Sequence, residues 1–121
     1  MGKILIIDDD EASRIILTER LNNEKDTCIV CNSGEEAISL LDSIEFSIDL
    51  VFLDIRLPEI DGWETLKQIK KINANIPVIA ISAIALSENL YKYNQAGFDG
   101  FISKPFNNFK IQEIVNFYLK K

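Results

Sequence analysis

Four apolar runs of this chain each end on side chains able to handle a phosphoryl group or a cation. Ile4-Leu5-Ile6-Ile7 leads into Asp8-Asp9, Leu50-Val51-Phe52-Leu53 into Asp54, Val78-Ile79-Ala80-Ile81 into Ser82, and Phe101-Ile102-Ser103 into Lys104-Pro105. Three carboxylates in close quarters repel one another, so they either raise a pKa or hold a cation. An all-oxygen set with open positions suits magnesium, which keeps its waters and binds few carboxylates together with phosphate oxygens; manganese is the alternative ion. Asp54 can then act as a nucleophile, because carboxylates form acyl phosphates, while Lys104 supplies a point charge and Ser82 a hydrogen bond to phosphate oxygens. Each residue alone is ordinary. An aspartate after a strand is commonly a helix cap, which is the reading for Asp10. The joint occurrence at four strand ends is what points to a single site.

The elements that must position these groups follow from the apolar period. Short runs at 3–8, 27–31, 49–54, 77–82 and 100–103 read as strands, and between them lie stretches of helical spacing. The first carries Ala12, Ile16, Leu17 and Leu21; the second carries Ala37, Ile38, Leu41 and Ile44 behind a capping box, Ser33 to Glu36. Gly62 opens a third helix with Trp63, Leu66 and Ile69, Gly97 sits just past a fourth, and Ile111, Ile114, Val115 and Tyr118 mark the core side of the last. Five β-α units with near-continuously apolar strands predict an α/β fold, a five-stranded parallel sheet covered by helices on both faces. Right-handed crossovers leave few strand orders, and 2-1-3-4-5 places strands one and three together at the topological switch point, bringing Asp8-Asp9 beside Asp54.

Composition removes several rivals. With 121 residues, 47% hydrophobic and 26% charged, the chain is expected to form one soluble domain spanning 1–121. A net charge of −6 argues against a nucleic-acid surface. Histidine is absent, which excludes a Ser-His-Asp triad and a phosphohistidine in this chain; histidine chemistry must come from a partner. Cys28 and Cys31 have the C-x-x-C spacing, but in a strand an odd separation points them to opposite faces, so they read as small thiols of the core rather than a redox or zinc pair. Reduced cysteines, with neither signal peptide nor long apolar span, lead to the expectation of a cytoplasmic protein without membrane contact.

The combined motifs resemble the receiver domains of bacterial two-component response regulators. They are Lys3-Ile4-Leu5-Ile6-Ile7-Asp8-Asp9-Asp10, Leu53-Asp54-Ile55-Arg56-Leu57-Pro58-Glu59-Ile60-Asp61-Gly62, Ile81-Ser82-Ala83, Ala96-Gly97 and Lys104-Pro105-Phe106, and the similarity covers essentially the whole chain. It implies a doubly wound, flavodoxin-like (CheY-like) fold with Asp54 as the phosphoacceptor. Asp9 and Asp54 would ligate magnesium directly, Asp8 through a water, and the Arg56 carbonyl would complete the protein ligands. Lys104 and Ser82 would hold the phosphoryl oxygens. The resemblance further implies a switch in which Ser82 moves toward the phosphoryl group and Phe101 turns inward, reshaping the face of helix four, strand five and helix five. The donor would be a histidine kinase or histidine phosphotransfer protein docking near helix one and an exposed Pro105-Phe106. The output would go to a downstream protein or a linked domain, with Tyr91, Tyr93 and Phe109 offered to that surface.

Two other chemistries compete. A haloacid-dehalogenase-like phosphatase also uses an aspartate nucleophile with magnesium, but wants a second acid two residues later, where this chain has Arg56. A nucleotide or flavin module would cradle phosphate on a Gly-rich or hydroxyl-rich loop, whereas Asp8-Asp9-Asp10-Glu11 repels anions. A degenerate receiver used only for protein contacts is disfavoured by the intact set of Asp8, Asp9, Asp54, Ser82 and Lys104. With no output domain after the last helix, the chain is expected to be a stand-alone regulator or a receiver from a larger protein.

By the same resemblance Arg56 and Ile84 line the path of attacking water. A long cation and a branched apolar side chain there shield an acyl phosphate, so the phosphorylated state is expected to be long-lived. Replacing both, Arg56→Ala with Ile84→Ala, should accelerate loss of the phosphoryl group; an unchanged or slower rate contradicts the shielding.

Overall fold

Successive side chains along each strand point to opposite faces of a sheet, and in the computed structural model both faces are covered. Residues 2–22, 26–43, 47–57, 59–82 and 90–119 are described, apart from the side chains of 90 and 91. The chain alternates β1 (Gly2–Ile7), α1 (Glu11–Leu21), β2 (Asp26–Cys31), α2 (Gly34–Leu41), β3 (Leu50–Asp54), α3 (Gly62–Ile72), β4 (Val78–Ser82), α4 (Leu90–Ala96), β5 (Gly100–Ser103) and α5 (Asn108–Leu119). All neighbouring strands are parallel, in the order β2-β1-β3-β4-β5. This is the expected α/β doubly wound sheet, with strand ends within a residue or so of those read from the sequence. Ile44, Pro58, Ala83 and Ile84 lie outside the described residues, as does the side chain of Tyr91.

Strand parity divides the core in two. Leu5, Ile7, Val51, Leu53, Val78 and Ala80 pack with Ala37 and Leu41 of α2, Leu66 and Ile69 of α3, and Tyr93 of α4. Ile4, Ile6, Leu50, Phe52, Ile79 and Ile81 pack with Leu17 and Leu21 of α1 and Ile111, Ile114 and Val115 of α5. Cys28 falls in the second group and Cys31 in the first, so the two free thiols do face apart. Burial pushes both thiols up, Cys28 to about 11 and Cys31 to about 12, which leaves them protonated and inert at neutral pH.

The local signals set the helix ends. Ser33 accepts the Glu36 N–H at 3.1 Å to cap α2, while the Glu36 carboxylate reaches back one residue further than a standard capping box, to the Asn32 N–H at 2.9 Å. Gly97 ends α4 at φ +109, the left-handed conformation that favours glycine. In α1 the expected inward face is corrected. Ala12 and Ile16 are exposed, and Ser13, Leu17 and Leu21 are buried, because four-residue spacing on a helix turns those three to the sheet. Phe106, expected to be exposed with Pro105, instead packs half-buried against the α1/α5 side of the core, and Arg20 donates to its carbonyl at 3.2 Å.

One close approach ties this frame to the site. The Gly62 N–H donates to the Ile55 carbonyl at 2.8 Å, and Asp61 caps α3 by accepting the Glu64 N–H at 3.0 Å, so α3 begins directly against the end of β3. A Cβ at position 62 would lie 2.5 Å from Ile55 Cα and 2.6 Å from the Asp54 carbonyl oxygen, both backbone atoms. Gly62→Ala should therefore cost about 1–3 kcal/mol of stability through overpacking, read as a lowered urea midpoint. A midpoint matching wild type would show that α3 can retreat freely from β3.

Candidate functional site

The site begins with two aspartates at adjacent strand ends. β1 and β3 are hydrogen-bonded neighbours, with Ile7 opposite Leu53, so Asp8 and Asp54 emerge side by side. Each fixes one carboxylate oxygen on the backbone two residues ahead, the local turn that aspartate favours. Asp8 Oδ1 accepts the Asp10 N–H at 2.9 Å, and Asp54 Oδ1 accepts the Arg56 N–H at 2.9 Å. That anchoring leaves the two Oδ2 atoms for the cleft, where the Lys104 ammonium lies 3.2 Å from Asp8 Oδ2 and 3.6 Å from Asp54 Oδ2. Asp8 is fully buried, Asp54 is buried, and Asp9 is exposed beside them. Asp10 takes no part in the cluster: it caps α1, accepting the Ala12 N–H and the Ser13 hydroxyl at 2.8 Å.

The electrostatics are those of an under-neutralised acidic cleft. Burial pushes Asp54 up to about 7; contact with the Asp8 carboxylate adds to the rise, and the Arg56 N–H and the Lys104 charge oppose it. Burial works against the charge of Lys104, but Asp8 and Asp54 outweigh it and the net shift is upward. Asp8 Oδ2 is buried without a hydrogen bond, its contact with Lys104 being an ion pair whose direction does not meet hydrogen-bond geometry. Asp8, Asp9 and Asp54 each offer an oxygen within 4.8 Å of the others. A buried carboxylate oxygen without a hydrogen bond, a neighbouring carboxyl whose pKa burial raises, and a set of hard oxygen donors are what a divalent cation relieves, so these residues fit magnesium.

Ser82 and Phe101 belong to the other side of the sheet. Ser82 ends β4 opposite Ser103, and its carbonyl accepts the Lys104 N–H at 2.9 Å, so the backbone places it beside the lysine. Its parity, however, is that of Val78 and Ala80, and its hydroxyl accepts a hydrogen bond from the Tyr93 hydroxyl at 3.2 Å. Phe101 packs on that same side, its ring 5.8 Å from Tyr93. Of the aromatics offered to an output surface or to core packing, Tyr93 belongs to the core: it is 5% exposed and touches both Ser82 and Phe101. The spacing of Tyr93, Phe98 and Phe101 was the available signal, since those rings, with Trp63, form one cluster. Phe109 is exposed as expected, and the Arg56 side chain is exposed at the mouth of the site.

A parallel sheet wound on both faces, with an acidic cleft at its switch point and a lysine across it, defines an α/β domain whose oxygen donors fit a divalent cation. Residues 4–116 match the family described as response regulator receiver domain, and the chain belongs to that family. Transcriptional regulatory protein CpxR of Klebsiella pneumoniae is 35% identical over 108 residues, 89% of this chain and 45% of CpxR. Chemotaxis protein CheY of Halobacterium salinarum is 32% identical over 94% of this chain and 93% of its own. The receiver domain of a sensor histidine kinase from Pseudomonas aeruginosa, crystallised with magnesium coordinated in its active site cleft, superposes with a TM-score of 0.85 at 23% identity, covering 100% of both chains. The chain spans less than half the length of the first curated relatives it matches. It is a receiver domain of two-component signalling, and a haloacid-dehalogenase-like phosphatase is not favoured. Among the described residues no helix is long and apolar enough to cross a membrane.

The raised Asp54 pKa has a signed consequence. Its folded value, about 7, exceeds the unfolded value of 3.8, so the folded state holds the proton more tightly and gains stability at low pH. That stability is fully present below pH 3.8 and is lost as pH rises through about 7. With a chelator present, the urea midpoint should fall across this window, and Asp54→Asn should flatten the slope. A wild-type midpoint that rises over the same window would contradict a proton shared at Asp54.

Proposed function

We propose that residues 1–121 form a single phosphoacceptor receiver domain in which Asp54 takes a phosphoryl group from a phosphohistidine on a histidine kinase or histidine phosphotransfer protein. The observation that carries this is the orientation of Asp54: one oxygen is anchored on the Arg56 N–H and the other faces Lys104 within the acidic cleft. In the transfer, Asp54 Oδ2 forms the new P–O bond, the P–N bond to the partner imidazole breaks, and the freed nitrogen takes up a proton. Lys104 would neutralise the arriving phosphoryl charge, and Ser82 would donate its hydroxyl to a phosphoryl oxygen. These 121 residues hold no histidine, so the donating phosphohistidine would lie outside them.

Magnesium would be held by Asp9, Asp54 and the Arg56 carbonyl, with Asp8 acting through a water. Bound there, such an ion would supply positive charge beside Asp54, favouring its ionised form and offsetting the charge of an arriving phosphoryl group. The domain would assist its own phosphorylation and dephosphorylation without turning over a small substrate. Arg56 and Ile84 would set the lifetime of the phosphoryl group. The work would be done in the cytoplasm, without nucleic-acid or membrane contact by this domain.

The signal would leave through the face of α4, β5 and α5, to a downstream protein or linked domain. That face carries a cavity of about 550 Å³ lined by Tyr93, Asn94, Phe101, Lys110, Ile114 and Phe117, beside the exposed Phe109.

With magnesium and a small acyl phosphate, intact-mass measurement should detect one added phosphoryl group on the wild-type chain and none on Asp54→Ala. Modification that persists in the variant would refute the acceptor, and turnover of small phosphoesters would favour the phosphatase instead.

A further inference from the structure

Among the described residues, Tyr93 reaches with its hydroxyl from α4 to the end of β4. Its hydroxyl donates to Ser82 Oγ at 3.2 Å, its side chain is 5% exposed, and its ring lies 5.5 Å from Trp63, 6.0 Å from Phe98 and 5.8 Å from Phe101. The ring is therefore held on three sides, which fixes where its hydroxyl points. Ser82 accepts that bond on a lone pair and keeps its proton, but the bond holds its oxygen on the α4 side, whereas in the receiver reading the hydroxyl donates to a phosphoryl oxygen on the Lys104 side of the sheet.

We infer that Tyr93 is a positioning residue, a latch whose hydroxyl holds Ser82 on the α4 side in the unphosphorylated domain and must release it before Ser82 can engage the phosphoryl group. This deepens the proposed phosphoacceptor function and rests on it. It also supplies a physical link between the two ends of the switch. Phe101 packs against the ring that holds Ser82, so release of the hydroxyl frees the same ring against which Phe101 is seated. The latch biases the equilibrium between two arrangements by the differential worth of one hydrogen bond. A neutral hydrogen bond of this kind shifts a population roughly 2- to 10-fold.

Tyr93→Phe tests the inference cleanly, because phenylalanine keeps the ring against Trp63, Phe98 and Phe101 and removes only the hydroxyl. With magnesium and a subsaturating small acyl phosphate, the variant should acquire its phosphoryl group roughly 2- to 10-fold faster than wild type. In a Ser82→Ala background the same substitution should leave the rate unchanged, a dependence that a merely structural tyrosine would not show. Independently of phosphorylation, urea midpoints of the wild type, both single variants and the double variant should reveal favourable coupling between Tyr93 and Ser82.

A rate in Tyr93→Phe equal to or below wild type, while wild type is phosphorylated, would overturn the latch and leave the acceptor reading standing. Additive midpoints would overturn it as well. Failure of both wild type and Tyr93→Phe to take up a phosphoryl group would bring down the acceptor reading, and the latch with it.

Discussion

Two carboxylates, Asp8 and Asp54, are held in contact at the ends of adjacent parallel strands, where neither is fully solvated and one lysine faces both. Like charges at that distance are tolerated only if a proton stays or a cation arrives. Much of the surrounding structure serves this constraint. Each aspartate is tied to its own backbone two residues on, which prevents the pair from rotating apart. Gly62 lets α3 start against the β3 end, closing the other side of the acceptor residue. Burial in a low-dielectric setting, which makes the pair costly, is also what gives Lys104, and would give a cation held there, its leverage.

The sheet sorts the remaining functional groups by parity. Asp8, Asp54 and Lys104 continue the alternation of Ile4 and Ile6, Leu50 and Phe52, and Ile102, whose side faces α1 and α5. Ser82 and Phe101 fall in the opposite phase, facing α3 and α4. A hydroxyl on that side can answer a charge on the other only by moving, because the backbone bond between Lys104 and Ser82 fixes the strand ends but not the side-chain rotamer. On that side the rings of Trp63, Tyr93, Phe98 and Phe101 form one cluster, and Tyr93 connects it to the Ser82 hydroxyl.

Much of this was legible in the chain itself. The strand order, the pairing of Asp8 with Asp54 and the opposite facing of Cys28 and Cys31 follow from period-two alternation and right-handed crossovers. The caps at Asp10 and Ser33 and the left-handed Gly97 follow from local backbone chemistry. The misreadings share a cause. In α1 the contiguous Ile15-Ile16-Leu17 carries no phase, so the inward face was set by where the helix docked. Phe106 looked like a surface aromatic because nothing nearby in sequence indicates which core receives it.

By itself, then, the sequence determined which chemical groups stand at which strand ends and on which face of the sheet, because strand alternation and turn chemistry act over a few residues. Tertiary structure alone decided that Lys104 lies within 3.6 Å of both buried carboxylates and that Tyr93 holds the Ser82 hydroxyl. Those contacts join elements whose relative placement is set by helix docking onto the sheet. Docking depends on the fit of whole faces, and no short stretch of residues encodes it.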